Sequence, residues 1–362
     1  MDNLSTAFRD PKMASLISEK LSKYKEGKIN IMEVCGTHTM SISRYGIRSL
    51  LPEGINLISG PGCPVCVTPL YYINSAIELS EAEDVIITTF GDLMKVPGTS
   101  SSLLKEKAKG KDIRIVYSPL DSLKIALENK SKRVVFLSVG FETTTPVAAL
   151  TVLKASEEGI GNFSVLSANK TIPNALKILA LDEDVKVHGY LYPGHVSAIT
   201  GTKLYHELAL QYGIPGVVAG FEPLDILHGI LTLTEMINDN KKAVVNEYKR
   251  AVNEEGNPEA LKVTDRVFSA CDSVWRGIGN IPLSGLVIRD EFQAFDAWKV
   301  YDLKPCITEE TPGCKCGEIL KGRLKPTDCK LYGKKCTPEN PVGACMVSSE
   351  GTCAAYYRYQ GV

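Results

Sequence analysis

Between about residues 28 and 289 the chain alternates short β-rich runs with longer stretches of helical spacing, and this alternation limits the folds open to it. The runs at 29–34, 55–58, 85–90, 113–117, 134–139, 163–167, 187–191 and 216–220 read as strands. Segments 70–80, 102–108, 120–129, 146–157, 173–181 and 223–238 carry the helical pattern. Such alternation predicts parallel sheets with helices on both faces. The strands are nearly continuous apolar runs, as suits sheets buried on both sides. A single (β/α)₈ barrel is disfavoured because 238–282 reads as mainly helical and charged. The expected fold is therefore α/β: two α/β domains with mainly parallel sheets (1–120 and 121–300) and a small Cys-rich C-terminal unit (301–362).

A chain of 362 residues has ample length for buried cores, and 44% hydrophobic with 23% charged residues is the composition of an ordinary globular protein. A net charge of −1 gives no electrostatic case for nucleic acid or anionic lipid as partner. No apolar run approaches the ~20 residues of a membrane span, and the opening MDNLSTAFRDPKMASL lacks the pattern of a secretion signal. The cytoplasm is the expected compartment.

Eleven cysteines are many for a reducing compartment, where stable disulfides are uncommon. Cys35, Cys63 and Cys66 lie early, Cys271 stands alone, and the other seven crowd the stretch from Cys306 onward. Clustering of this kind points to metal or redox chemistry rather than a disulfide framework.

Ligands of open parallel sheets bind at the carboxyl ends of strands, so the loops there are candidate site walls. After the first strand comes EVCGTHT, 33–39, where the Cys35 thiol stands beside Thr37 and His38 at a helix start. A helix N-terminus favours thiolate, and a histidine can share the proton. The alternative is a buried cysteine with Thr37 as a cap. After the second strand comes GPGCPVC, 60–66. Cys63 and Cys66 can meet within one turn as a redox pair, or form half of a zinc site. No second pair stands nearby, which favours the redox reading. In GFETTTP, 140–146, the Glu142 carboxylate and three threonines can bind a polar ligand or cap a helix. PGHVS, 193–197, and GFEPLD, 220–225, carry ionisable side chains in Gly/Pro turns, where turn chemistry is the plainer explanation. His188, His206 and His228 read as structural.

The tail from 305 is rich in Cys, Gly, Pro and Lys and follows no apolar period, so a metal or cross-links are expected to hold it. Cys314, Cys316, Cys329, Cys336, Cys345 and Cys353 exceed what one tetrahedral zinc needs. Four thiolates on an iron–sulfur cluster would leave two for a disulfide, so the surplus favours iron–sulfur over zinc.

CGTHT, GPGCPVC, GFETT, PGHVS and the tail ending in CMVSSEGTC, in this order over most of the chain, resemble the hydrogenase maturation factor HypD family. The resemblance implies a scaffold with redox activity for assembly of the Fe(CN)2CO group of nickel–iron hydrogenases. The partners it implies are HypC and HypE, the latter delivering cyanide, with onward transfer to the hydrogenase large subunit. It implies Cys35 as ligand of the transient iron, with a further cysteine from HypC, and Cys63 with Cys66 as the adjoining dithiol or disulfide. It also implies a 4Fe–4S cluster on Cys314, Cys329, Cys336 and Cys353, and a second redox pair of Cys316 and Cys345. Cys35, Thr37, His38, Cys63, Cys66 and Glu142 thus form the expected working site, with the early dithiol facing Cys35 across a cleft. Two other readings stay open: an iron–sulfur-dependent thiol–disulfide reductase, and a zinc-stabilised assembly protein without redox chemistry.

Overall fold

The computed structural model describes residues 7–24, 27–306 and 310–360. Eight expected strands are present within a few residues of their expected bounds: β1 (Ile29–Glu33), β2 (Ile55–Ser59), β3 (Val85–Thr89), β4 (Ile113–Ile115), β5 (Arg133–Ser138), β6 (Phe163–Ser167), β7 (Gly189–Pro193) and β8 (Gly216–Ala219). β9 (Val244–Asn246), β10 (Phe268–Trp275) and β11 (Gly279–Ile288) complete the set. All pairs in the two larger sheets are parallel, in the orders β2-β1-β7-β8-β9 and β4-β3-β5-β6. The α/β class is as expected: β3 and β6 are buried at every residue and β5 at every residue but Arg133.

The expected division at residue 120 falls between β4 and β5, which belong to one sheet. The chain starts the first sheet with β1 and β2, builds the whole second sheet from β3 to β6, and returns to the first for β7, β8 and β9. Alternation along a sequence reports that strands exist, not which sheet each joins, because a parallel strand can pair with any neighbour that a helix can reach.

A second difference lies in 238–282, expected to be mainly helical. It holds β9, one helix (Pro258–Val267), β10 and part of β11, the last two forming an antiparallel hairpin. Along FSACDSVW the burial alternates with a period of two. Only Phe268 and Trp275 at its ends are large and buried, so small and polar residues mask the strand signal between them.

The tail is built of short helical turns and the helix Thr352–Tyr359, and is not separate from the core. Ile319, Leu320, Tyr332, Met346 and Tyr356 are buried in the same apolar cluster as Met32, Tyr72, Leu137 and Trp275. Hydrophobic docking onto the sheets thus supplies part of what a metal or cross-links were expected to supply. No helix among the described residues is long and apolar enough to cross a membrane.

Parallel pairing aligns the carboxyl ends of β2, β1, β7 and β8, so the loops 60–66, 34–37, 193–195 and 220–222 emerge side by side. The first two touch through backbone. The Gly36 amide donates to the Gly62 carbonyl at 3.1 Å, and the Gly60 amide to the Glu33 carbonyl at 2.8 Å. A Cβ on Gly62 would collide with the nitrogen and Cα of Cys35 and the carbonyl carbon of Val34, none of which can swing aside. Gly62→Ala should therefore lower stability by roughly 1–3 kcal/mol, visible as a lower thermal midpoint. An unchanged midpoint would show that the two loops do not abut.

Candidate functional site

Cys35 stands where β1 gives way to the helix Gly36–Arg44, as its N-cap. The amides of His38 and Thr37 point at its sulfur, as expected for a helix start, and alone would favour thiolate. Burial wins instead. Cys35 is 2% exposed, and its thiol pKa is pushed far above the ordinary value, first by desolvation and then by the Glu350 carboxylate. The expected thiolate is thus a protonated thiol in this structure, since an uncompensated charge in a dry site is disfavoured.

The ring nearest to it comes from another loop. His195, the second residue of the helix Gly194–Thr200, has Nδ1 4.0 Å from the Cys35 sulfur. Burial lowers the His195 pKa to about 4, so the imidazole is neutral at pH 7. His38, expected beside the thiol, is occupied elsewhere. Its Nε2 meets the Gly220 carbonyl at 2.8 Å, tying the Cys35 helix to the loop after β8. Burial lowers its pKa to about 4 as well, and its buried Nδ1 has no partner among the described residues. Phe221 packs against both rings, with centroids 5.0 Å from His38 and 5.1 Å from His195.

Thr37 neither caps the helix nor faces the thiol. Its hydroxyl donates to Glu350 at 2.7 Å. Gly36 is pressed against the same residue, with no room for a Cβ. Ser348, two residues earlier, donates to Asp92 beyond the end of β3 at 3.0 Å. The stretch 348–350 therefore spans the loops of both sheets and covers the start of the Cys35 helix.

Glu33 is a site residue that the sequence did not flag. It is fully buried, accepts from the Thr39 hydroxyl, and accepts from the Cys35 amide at 3.2 Å. Burial raises its pKa to about 7. The available signal was a carboxylate inside the strand run INIMEV, whose other polar residue is Asn30.

Cys63 and Cys66 are joined as a disulfide at the start of the short helix Pro64–Val67. They are 3% and 1% exposed, so the expected open cleft is a closed interior with both loops in backbone contact. The covering stretch 348–350 and the tail account for the closure. The Cys66 sulfur lies 4.0 Å from the carbonyl of Ala344, the residue before Cys345.

In the tail, the sulfurs of Cys316, Cys345 and Cys353 lie within 4.8 Å of one another. Cys316 and Cys353 hydrogen-bond toward Cys345, which lowers the Cys345 pKa well below the ordinary thiol value. Gly343 lies flush against this group, since a Cβ there would stand 2.6 Å from the Cys316 sulfur and 2.8 Å from that of Cys314. Cys336 is buried, accepts from the Val342 amide at 3.3 Å, and feels the charges of Cys316 and Cys314. Cys329 is half-buried against the core and outside the tight group. The structure thus joins members of both sets that the resemblance separates: Cys353 stands with Cys316 and Cys345.

Glu142 is half-buried in the loop that follows β5. One oxygen accepts from the Ile172 amide at 2.9 Å, at the start of the helix Ile172–Ala180, and the other is buried with no partner among the described residues. Thr144 and Thr145 return their hydroxyls to the Phe141 carbonyl at 3.2 and 2.9 Å, which is local turn chemistry. His188 accepts from the Asn30 amide at 2.9 Å and is structural.

The site thus combines a buried thiol beside a neutral imidazole, a disulfide in the next loop and a group of thiols that could hold a metal ion. Comparison with known proteins gives the family. The family model "HypD: Hydrogenase formation hypA family" matches residues 11–360. The hydrogenase maturation factor HypD of Cupriavidus necator is 45% identical, over 97% of this chain and 96% of that one. Its counterpart from Rhodobacter capsulatus is 44% identical over 99% and 98%, and a putative hydrogenase expression/formation protein of Methanocaldococcus jannaschii 42% over 95% and 96%. The chain belongs to the HypD family of hydrogenase maturation factors.

Burial raises the Glu142 pKa from an ordinary 4.5 to about 7. Between these values the folded chain keeps a proton that the unfolded chain has released, so this group lowers stability as pH rises through that window. Glu142→Gln keeps the acceptor for Ile172 and leaves Glu33 and the buried histidines unchanged. The variant should gain on wild type by on the order of 3 kcal/mol at most between pH 4.5 and 7, in urea midpoints compared across pH. A constant difference would show that Glu142 does not titrate there.

Proposed function

We propose that this chain is a scaffold with redox activity for assembling the Fe(CN)2CO group of nickel–iron hydrogenases, working with HypC and receiving cyanide from HypE. The observation that carries the reading is the continuity of three sulfur groups: Cys35 beside His195, the Cys63–Cys66 disulfide in the abutting loop, and the tail thiols reached through Ala344.

The iron with its cyanide and carbonyl ligands is the cargo. Thiolate is the soft donor that suits it, and Cys35 is the thiol placed at the meeting point of four loops. Because burial keeps Cys35 protonated, binding the cargo displaces that proton. The neutral His195 Nδ1, 4.0 Å away, is positioned to receive it. Glu33 and His38 hold the Cys35 loop through backbone contacts rather than touching the cargo.

The tail donor set fits a thiolate-bound cluster: several sulfurs converge, and Gly343 leaves no side chain between them. Following the family pattern, Cys314, Cys329, Cys336 and Cys353 would hold a 4Fe–4S cluster, with Cys316 and Cys345 as a dithiol pair. When bound, such a cluster supplies electrons one at a time. Reduction of the Cys63–Cys66 disulfide takes two electrons and two protons, and Cys345 follows the residue whose carbonyl meets the Cys66 sulfur. Burial of both sulfurs disfavours a general protein-disulfide reductase, since an external disulfide has no line of attack.

Anaerobic co-purification with HypC, with iron and sulfide analysis and infrared spectroscopy, tests the reading. Wild type should carry iron, sulfide, and C≡N and C≡O stretches. Cys35→Ala should lose the stretches entirely and keep the sulfide. Zinc without sulfide, or stretches retained in the variant, would contradict the proposal.

A further inference from the structure

The turn joining β10 to β11 lies between two of the sulfur groups, and no role above uses it. The Arg276 amide donates at 2.8 Å to the carbonyl of Val67, the last residue of the short helix that carries the disulfide. The next residue, Gly277, has φ of +75° and is pressed onto Gly317, the neighbour of Cys316; a side chain on either glycine would collide with the other's backbone. The backbone at Arg276–Gly277 is thus wedged between the disulfide helix and the tail helix Cys316–Leu320.

The Arg276 side chain is buried at this junction, the residue being 4% exposed. Its Nε donates to Glu310 at 2.8 Å, and Nη2 pairs with the same carboxylate at 2.7 Å. Nη1 is buried and has no partner among the described residues. A guanidinium does not give up its proton, and an unmet buried N–H costs about 1–3 kcal/mol. Gly317, onto which the Arg276–Gly277 turn is pressed, directly follows Cys316, and the Cys316 and Cys314 sulfurs both lie against Gly343, so the turn that carries the guanidinium abuts the tail thiols. Glu310 is 41% exposed, so solvent weakens its hold on the buried cation.

We propose that Arg276 is a positioning residue for the tail redox centre: its unpartnered Nη1 donates to a sulfur of the cysteine-bound group, and its charge favours that group's reduced state. The inference rests on the reading of the tail as an iron–sulfur site. Reduction adds one electron and makes the group more negative, and a fixed cation in a low-dielectric setting stabilises that form. Charge and hydrogen bonds to sulfur set the potentials of such centres.

The test uses the full chain, purified anaerobically, with iron and sulfide measured before a dye-mediated redox titration followed by visible absorption. Arg276→Gln should bias the equilibrium toward the oxidised form about tenfold, a downward midpoint shift of about 59 mV for a one-electron couple. Arg276→Lys should restore part of that shift, and Glu310→Gln should move the midpoint upward. The half-exposed Glu310 variant carries the test if loss of the buried arginine costs the fold. A Glu310→Gln midpoint equal to or below that of wild type, at wild-type iron content, overturns the inference whatever the arginine variants do. Zinc and no sulfide in wild type itself would instead overturn the reading on which the inference rests.

Discussion

The 3.1 Å hydrogen bond from the Gly36 amide to the Gly62 carbonyl holds the two early cysteine loops against each other. It exists because β1 and β2 pair in parallel from Ile29 with Ile55 through Glu33 with Ser59, ending level with one another. Two loops leaving adjacent parallel strands at the same height must cross the same space, and only a residue without a side chain at 62 lets them do so. β7 on the other flank of β1 brings His195 to the thiol from a third loop, and β8 beyond it brings the Gly220 carbonyl that fixes His38. The site is therefore a property of sheet order more than of any single motif.

Dryness follows from that arrangement and decides the protonation states. With Cys35, His38 and Glu33 buried and the tail stretch 348–350 laid over the loops, Glu33, Cys35, His38 and His195 all shift toward their neutral forms. A neutral thiol next to a neutral imidazole is a pair that can give up one proton when a metal ion arrives, and holds no charge before then. On the proposed function, this protects a reactive thiol from adventitious chemistry until the cargo is present. On the same proposal, the interior would keep water away from an iron centre whose ligands are cyanide and carbon monoxide.

Much of the site was legible because its residues sit at strand ends in short Gly-rich loops: CGTHT, GPGCPVC and PGHVS were all placed correctly after strands. Strand existence was legible from apolar runs. Sheet membership was not, because the pairing of β1 with β7 joins Ile31 to Gly189 across the whole of the second sheet, and local periodicity carries no trace of it. The roles of individual side chains were also opaque. His38 and His195 are equally histidines in Gly-containing loops, and only the direction of each ring separates the thiol's neighbour from a backbone tether. Glu350 and Glu33 matter through what they touch in space, and the tail's docking depends on scattered residues such as Ile319 and Tyr356 rather than on a period.

The central claim is that sulfur chemistry in the tail reaches the Cys63–Cys66 disulfide through the interior. Its most direct test is anaerobic reduction of the iron-loaded chain by a one-electron donor, with acid quenching and differential alkylation of Cys63 and Cys66 read by mass spectrometry over time. The account predicts that both thiols appear together in wild type and that Cys345→Ser slows their appearance at least tenfold with iron content unchanged. Equal rates in the two proteins would contradict it.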